Sequence, residues 1–168
     1  MSLHWSSILA LGLLAVSAAI MIAAAVHDVI ARTVPNWMAA TLAPIGLSLQ
    51  VLQGHPLMAL LVASIVFLLL AFCWRFGWIG GGDVKLLGAT ALVVPPAQIA
   101  TFITAVALTG AVLAIVYLAG RRIVAAPDAR RPTRLLARAI RVERWRIRRG
   151  GPLPYACAIA AGFLFIIA

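Results

Sequence analysis

Two of the chain's four acidic residues stand where a carboxylate is costly. Asp28 closes the run Ala23-Ala24-Ala25-Val26-His27-Asp28, and Asp83 follows three glycines in Gly80-Gly81-Gly82-Asp83-Val84-Lys85. An ionisable group at the edge of a membrane-length apolar run is a functional-site candidate by default. Two carboxylates brought together at a partly dry site do not both ionise cheaply, so one keeps a proton while the other is charged. The charged partner can take a proton from water, and the protonated one can polarise a carbonyl and then protonate a leaving amine. That is aspartic-peptidase chemistry, with no metal and no covalent intermediate. The glycines suit it, since without Cβ they allow a tight turn and let a substrate backbone approach the acid. A purely structural role is also consistent with these residues: the glycines break a helix, and each Asp caps a helix end or pairs with Arg32 or Lys85.

The remaining chemistry-bearing residues offer less. Asp128 and Glu143 lie among arginines and read as ion-paired surface groups. Cys73 and Cys157 each sit in an apolar run, form no CxxC pair and have no His at ligand spacing, so neither a zinc site nor any other metal or cofactor is expected. His27 beside Asp28 reads as a boundary residue rather than a proton relay.

The elements that must position the two acids follow from composition. Of 168 residues, 64% are apolar and 11% charged, too few polar groups to clothe a soluble globule. The charge of +10 would ordinarily suggest nucleic acid, but the placement of the basic residues points to a membrane, and no nucleic-acid partner is expected. Apolar runs cover Ile8 to Val26, Trp37 to Gln53, Leu57 to Cys73, Val84 to Val94, Ala97 to Ala119 and Pro152 to Ala168. The first is too long, and too poor in preceding basic residues, for a signal peptide. The fourth is short, and reads either as re-entrant or as a helix that starts in the glycines and continues through Pro95-Pro96.

All 14 basic residues fall in alternate loops: Arg32 in one, Arg75 and Lys85 in the next, and eleven arginines between Arg121 and Arg149. Basic residues favour the cytoplasmic side, so this alternation predicts about six transmembrane helices with both termini outside. The expectation is an all-α, polytopic helical bundle, a single domain over residues 1–168 with a basic cytoplasmic loop at about 121–151. Both acids then lie at the cytoplasmic face. The loop's arginines, interrupted by Leu135, Leu136, Ala139, Ile140, Trp145 and Ile147, read either as an amphipathic helix on the anionic inner leaflet or as a solvated loop that only fixes topology.

Three blocks of the chain carry a family resemblance. Gly80-Gly81-Gly82-Asp83-Val84-Lys85-Leu86-Leu87 resembles the GxGD signature of the type IV prepilin peptidases, which are membrane aspartic proteases. Asp28-Val29-Ile30-Ala31-Arg32-Thr33-Val34-Pro35-Asn36 resembles that family's other catalytic block. Leu153-Pro154-Tyr155-Ala156-Cys157-Ala158-Ile159 resembles the block in which the last helix starts, with Ala156 where Gly is usual. The resemblance implies that Asp28 and Asp83 are the catalytic dyad, with Gly80, Gly81, Gly82, Lys85, Arg32, Pro35, Asn36, Pro154 and Tyr155 as supporting residues. It implies an aspartic endopeptidase that removes the short basic leader of a prepilin-like protein at the cytoplasmic face of the bacterial inner membrane. The paired-CxxC segment of the large bifunctional members is not seen, so the chain resembles the small peptidase-only form of Flp/Tad pilus systems, without N-methyltransferase activity.

Lys85 and Arg32 either bind substrate or anchor to phosphate headgroups, anchoring being preferred for Lys85. Pro35-Asn36 starts the second helix, with Asn36 as its cap. Gly88, Ala89, Ala91, Ala105, Gly110 and Ala114 permit close helix approach, either of a substrate helix or of the bundle's own. Two other functions remain open: a catalytically inactive scaffold of pilus or secretion assembly, and a small proton or cation transporter.

Overall fold

The computed structural model describes residues 2–124 and 135–168. Asp128, Arg130, Arg131 and Arg134, and with them part of the expected basic loop, lie outside the described residues. The described residues form seven α-helices and no strand: α1 (Ser2–Ala31), α2 (Asn36–Leu52), α3 (Pro56–Arg75), α4 (Gly81–Val93), α5 (Ile99–Ile123), α6 (Leu135–Arg149) and α7 (Tyr155–Ile167). The all-helical expectation holds.

Three helices are long and apolar enough to cross a membrane: the stretches Ser6–Ala31, Pro56–Arg75 and Pro96–Ile123. Their flanks leave large apolar side chains exposed, among them Leu11, Leu57, Leu68, Leu108 and Ile115, as lipid contact requires and water does not tolerate in such number. α4 differs in kind. Eight of its 13 residues are buried, because it is apolar on every side beyond its first turn and so must be enclosed. It starts within the glycines but does not run through the prolines. Val94 is drawn into extended conformation (φ −78°, ψ 134°) by the proline that follows, and a single 3-10 turn, Pro96–Gln98, leads into α5. At 1.5 Å per residue α4 is about 20 Å long, short of a ~30 Å hydrocarbon core.

α4 lies between α2 and α3, and α7 packs between α1 and α5. α2 and α4 run parallel. Lys85 Nζ meets Asn36 Oδ1 at one end, and at the other Gln50 Nε2 donates to the carbonyls of Leu92 and Val94. Their backbones approach so closely at Gly46 that a Cβ there would lie 2.6 Å from the Leu92 carbonyl carbon. Gly162 of α7 is held equally tightly, since its Cβ would lie 2.6 Å from Val106 of α5. The other small residues also serve the bundle itself: Gly88 faces Phe67, Gly110 faces Tyr155, and Ala89, Ala91 and Ala105 are buried. The core that results includes Met21, Leu42, Leu86, Phe102, Ile159 and Phe163.

The ends of these helices gather at one pole. α1, α3 and α5 finish there, and α2, α4 and α7 start there, as contacts of Asp28 with Ala156, Arg32 with Tyr117, Trp74 with Gly81 and Lys85 with Asn36 show. The functional residues must be sought at that pole.

Candidate active site

The last turn of α1 supplies Asp28, and the first turn of α4 supplies Asp83. Both line one cavity of about 430 Å³, together with Arg32, Thr33, Val34, Asn36, Gly80, Gly81, Gly82, Pro152 and Leu153. The two acids come from elements 55 positions apart in sequence and converge because α1 ends, and α4 begins, at the same pole.

Asp28 is 6% exposed, and its Oδ2 accepts the Ala156 N–H at 3.1 Å. Ala156 is the second residue of α7, where backbone N–H groups have no partner within the helix. Asp28 thus caps a helix from another part of the chain, and the positive end of α7 faces its carboxylate. The structural and chemical readings of this acid are therefore not exclusive. Pro154, fully buried, sets the entry of α7, and the Ala156 side chain is accommodated without exposure. The alanine in place of glycine fits. Tyr155, adjoining, packs on Gly110.

Asp83 does not cap its own helix. Its Oδ2 lies back over Gly80, where an added Cβ would stand 2.9 Å from it. Glycine at 80 is what leaves the carboxyl room. A Cβ on Gly81 would press on Trp74 Nε1 at 3.1 Å, whereas one on Gly82 would make only ordinary contact with Val34 at 3.4 Å. Asp83 lies outside the three membrane-length helices. Burial, and secondly the charge of Asp28, push its carboxyl up from 3.8 to about 6.

The turn between α1 and α2 is fixed from several sides. The His27 Nδ1–H donates to the Thr33 carbonyl at 2.7 Å, so this histidine holds backbone. Arg32 has φ 56°, a left-handed conformation that side chains rarely adopt, and its N–H closes the end of α1 on the Asp28 carbonyl at 2.8 Å. Its Nη2 donates to Tyr117 Oη at 3.2 Å and to Glu143, with which it forms an ion pair. Pro35 and Asn36 do start α2, but Asn36 is its first helical residue and makes no cap. Pro35 occupies the cap position, and the Asn36 side-chain oxygen accepts from Lys85 at 2.9 Å. The reason is competition: the nearby ammonium is a stronger donor than a backbone N–H. Lys85, although exposed, is therefore engaged in joining the two acid-bearing blocks.

Sequence reasoning missed α6's part. Glu143 is not a surface group: its side chain is 16% exposed and also accepts from Tyr117 and from Arg146 Nη1, the latter at 3.3 Å. A lone acid three residues before an arginine, within a basic run, was the available signal. Among the described residues no group of three or more His, Cys, Asp or Glu could hold a metal ion.

The arrangement offers two carboxyls at one cavity, Asp83 raised toward neutrality first by burial and then by the charge of Asp28, and a glycine-floored opening beside them. The profile of the type IV leader peptidase family matches residues 15–115, which include both acids and the glycine turn but end within α5. No curated protein and no solved structure matches the chain.

Proposed function

The chain belongs to the type IV leader peptidase family, and on that premise we propose that it is an active membrane aspartic endopeptidase cutting the leader from a prepilin-like protein. Family membership supports an aspartic leader peptidase in general. The single observation that carries the specific reading is the cavity that Asp28 and Asp83 share.

In this mechanism Asp83 holds the dyad's proton and Asp28 is the carboxylate. The asymmetry supports that division: Asp28 accepts a helix N–H, which favours its ionised form, whereas Asp83 caps no helix of its own and shares the cavity with that charge. A water between them gives its proton to Asp28 and attacks the scissile carbonyl, which Asp83 polarises. Collapse of the tetrahedral intermediate sends a proton to the leaving amine. The substrate backbone passes over the glycine turn, which carries no side chain of its own to hold it off the acid.

The substrate class follows from where the dyad lies. A leader at the membrane edge, followed by an apolar helix in the bilayer, brings its scissile bond to the pole where α1 ends and α4 begins. We place that pole at the cytoplasmic face of the inner membrane, because Arg32, Arg75, Lys85 and the arginines of α6 gather there, and we read α6's exposed arginines as facing anionic lipid. The preferred form is the small Flp/Tad type, without methyl transfer.

Co-expression with a prepilin-like protein bearing a basic leader and a Gly before its apolar run tests this. Leader removal seen as a mobility shift, and lost in both Asp28→Asn and Asp83→Asn, is the expected result. Processing that survives either substitution sinks the dyad, and no processing by the unaltered chain favours an inactive scaffold or a transporter.

A further inference from the structure

The family match ends at residue 115, yet the contacts that fix the end of α1 extend well past it. We propose that α6 is a positioning element of the site, in which Glu143 and Arg146 hold the last turn of α1 and thereby aim the Asp28 carboxylate. The inference rests on the peptidase reading and extends it to residues outside the family-matched segment.

A helix end leaves its last carbonyls without partners. In α1 the Asp28 carbonyl is taken by the Arg32 N–H. The next two are taken from α6: Arg146 Nη1 donates to Val29 O at 2.7 Å, and Nη2 to Ile30 O at 3.2 Å. One guanidinium thus spans the two residues that follow the acid. A cation at a helix C-terminus is also favoured by the helix dipole. Glu143 holds that guanidinium and, through its other oxygen, Arg32 and Tyr117. Arg32 is the residue in left-handed conformation, a strain that persists only where surroundings over-determine it. The Arg32–Glu143 pair, with side chains 11% and 16% exposed, supplies that determination.

Asp28 is therefore held on two sides: its side chain by the start of α7, and the backbone of the two residues that follow it by α6. Glu143 is the pivot, since among the described residues it joins α6 to the ends of both α1 and α5. Nothing here touches the scissile bond. Glu143 and Arg146 act through Asp28, and misplacement of a reacting group by about 1 Å can cost on the order of a hundredfold in rate.

The test uses the full chain in detergent with a leader-bearing prepilin-like substrate, and compares Arg146→Ala, Arg146→Lys, Glu143→Gln and a control, Arg148→Ala, on an exposed position of α6. Two readouts are taken: kcat and KM for cleavage, and hydrogen exchange of the amides at 28–33. Arg146→Ala and Glu143→Gln are expected to lower kcat about 10–100-fold with KM within about twofold. Exchange at 28–33 should accelerate while α3 and α4 stay protected, Arg146→Lys should recover part of the rate, and the control should change nothing. Unchanged kcat in both variants, or an equal loss in the control, overturns the proposal. If the unaltered chain cleaves nothing, the peptidase reading has failed, and the exchange data decide the clamp alone: faster exchange at 28–33 supports it, and unchanged exchange refutes it.

Discussion

Asp83 sits in a state that folding alone would not select. Its carboxyl is raised from 3.8 to about 6, so the folded chain prefers it protonated. The stabilisation from that proton is complete below pH 3.8 and is lost as pH rises through about 6. Asp83→Asn, neutral at every pH, should therefore raise stability at pH 7.5 by about 1–2 kcal/mol, after discounting for partial solvent access, and by nothing near pH 3.5. Melting in detergent at the two pH values reads this, and equal shifts at both would contradict it. Cleavage should run the other way: absent in the variant, and in the unaltered chain falling as pH rises above about 6, with the apparent value belonging to the pair. The glycines divide by the same local geometry. Gly80→Ala should displace the Asp83 carboxyl and lower kcat by about tenfold or more. Gly82→Ala meets nothing closer than 3.4 Å within the chain, so its melting point should not move and any loss should appear in KM. A lowered melting point for Gly82→Ala would show that the glycine serves the fold and not the substrate.

Helix α4 has to present Asp83 at a fixed depth, and it is pinned at both ends by α2. Lys85–Asn36 fixes the acid-bearing end, and Gln50, wholly buried, fixes the other by taking the carbonyls of Leu92 and Val94. Gln50→Ala leaves those carbonyls without their donor and should destabilise the chain by about 1–3 kcal/mol. Because the lesion lies at the end of α4 remote from Asp83, the pH dependence of cleavage should not change, and a shifted profile would mean that the two ends are coupled. How much of this could be read from the chain depends on what fixes each element. α3 was plain because an uninterrupted apolar run is bounded by Pro56 and by Arg75 with Gly77 beyond. The start of α4 is legible in its glycines but its end is not, since only the extended Val94 shows that Pro95 stops it. The convergence of Asp28 and Asp83 at one pole followed from the alternation of apolar runs and arginines. The Asn36–Lys85 bond and the α6 clamp were hidden, because each is a tertiary choice among several donors for a partner 49 or more positions away. Local capping rules cannot register competition of that kind.

At the scale of the whole chain, the question is how many times it crosses the bilayer. Length and composition nominate three helices, while direction nominates six: α1, α2, α3, α4, α5 and α7 alternate in sense, and the acid-bearing pole collects one end of each. The basic residues weigh on the same side. Arg32, Arg75, Lys85, Arg121, Arg122 and α6 belong to that pole, whereas Gln53 to His55 and Val94 to Gln98, which join helices at the opposite pole, hold no Lys or Arg. A 13-residue helix does not span ~30 Å of hydrocarbon in contact with lipid, but α4 has little such contact, being enclosed by its neighbours, and an enclosed segment need not match the bilayer's thickness. The joint after α4, at Pro95-Pro96, can therefore lie below the far surface in a local depression and still face the outer aqueous phase. A reporter enzyme inserted after Pro95 should be active on the outer side, and one inserted after Ile123 on the inner side. Cysteine labelling should agree, with a cysteine at Gln53 modified by an impermeant reagent in intact cells and one at Arg122 only after lysis. Both reporters on one side would reduce α4 to a re-entrant element. Asp83 would then reach the dyad from a segment that enters and leaves by the same face, and the argument from alternating arginines would fail with it.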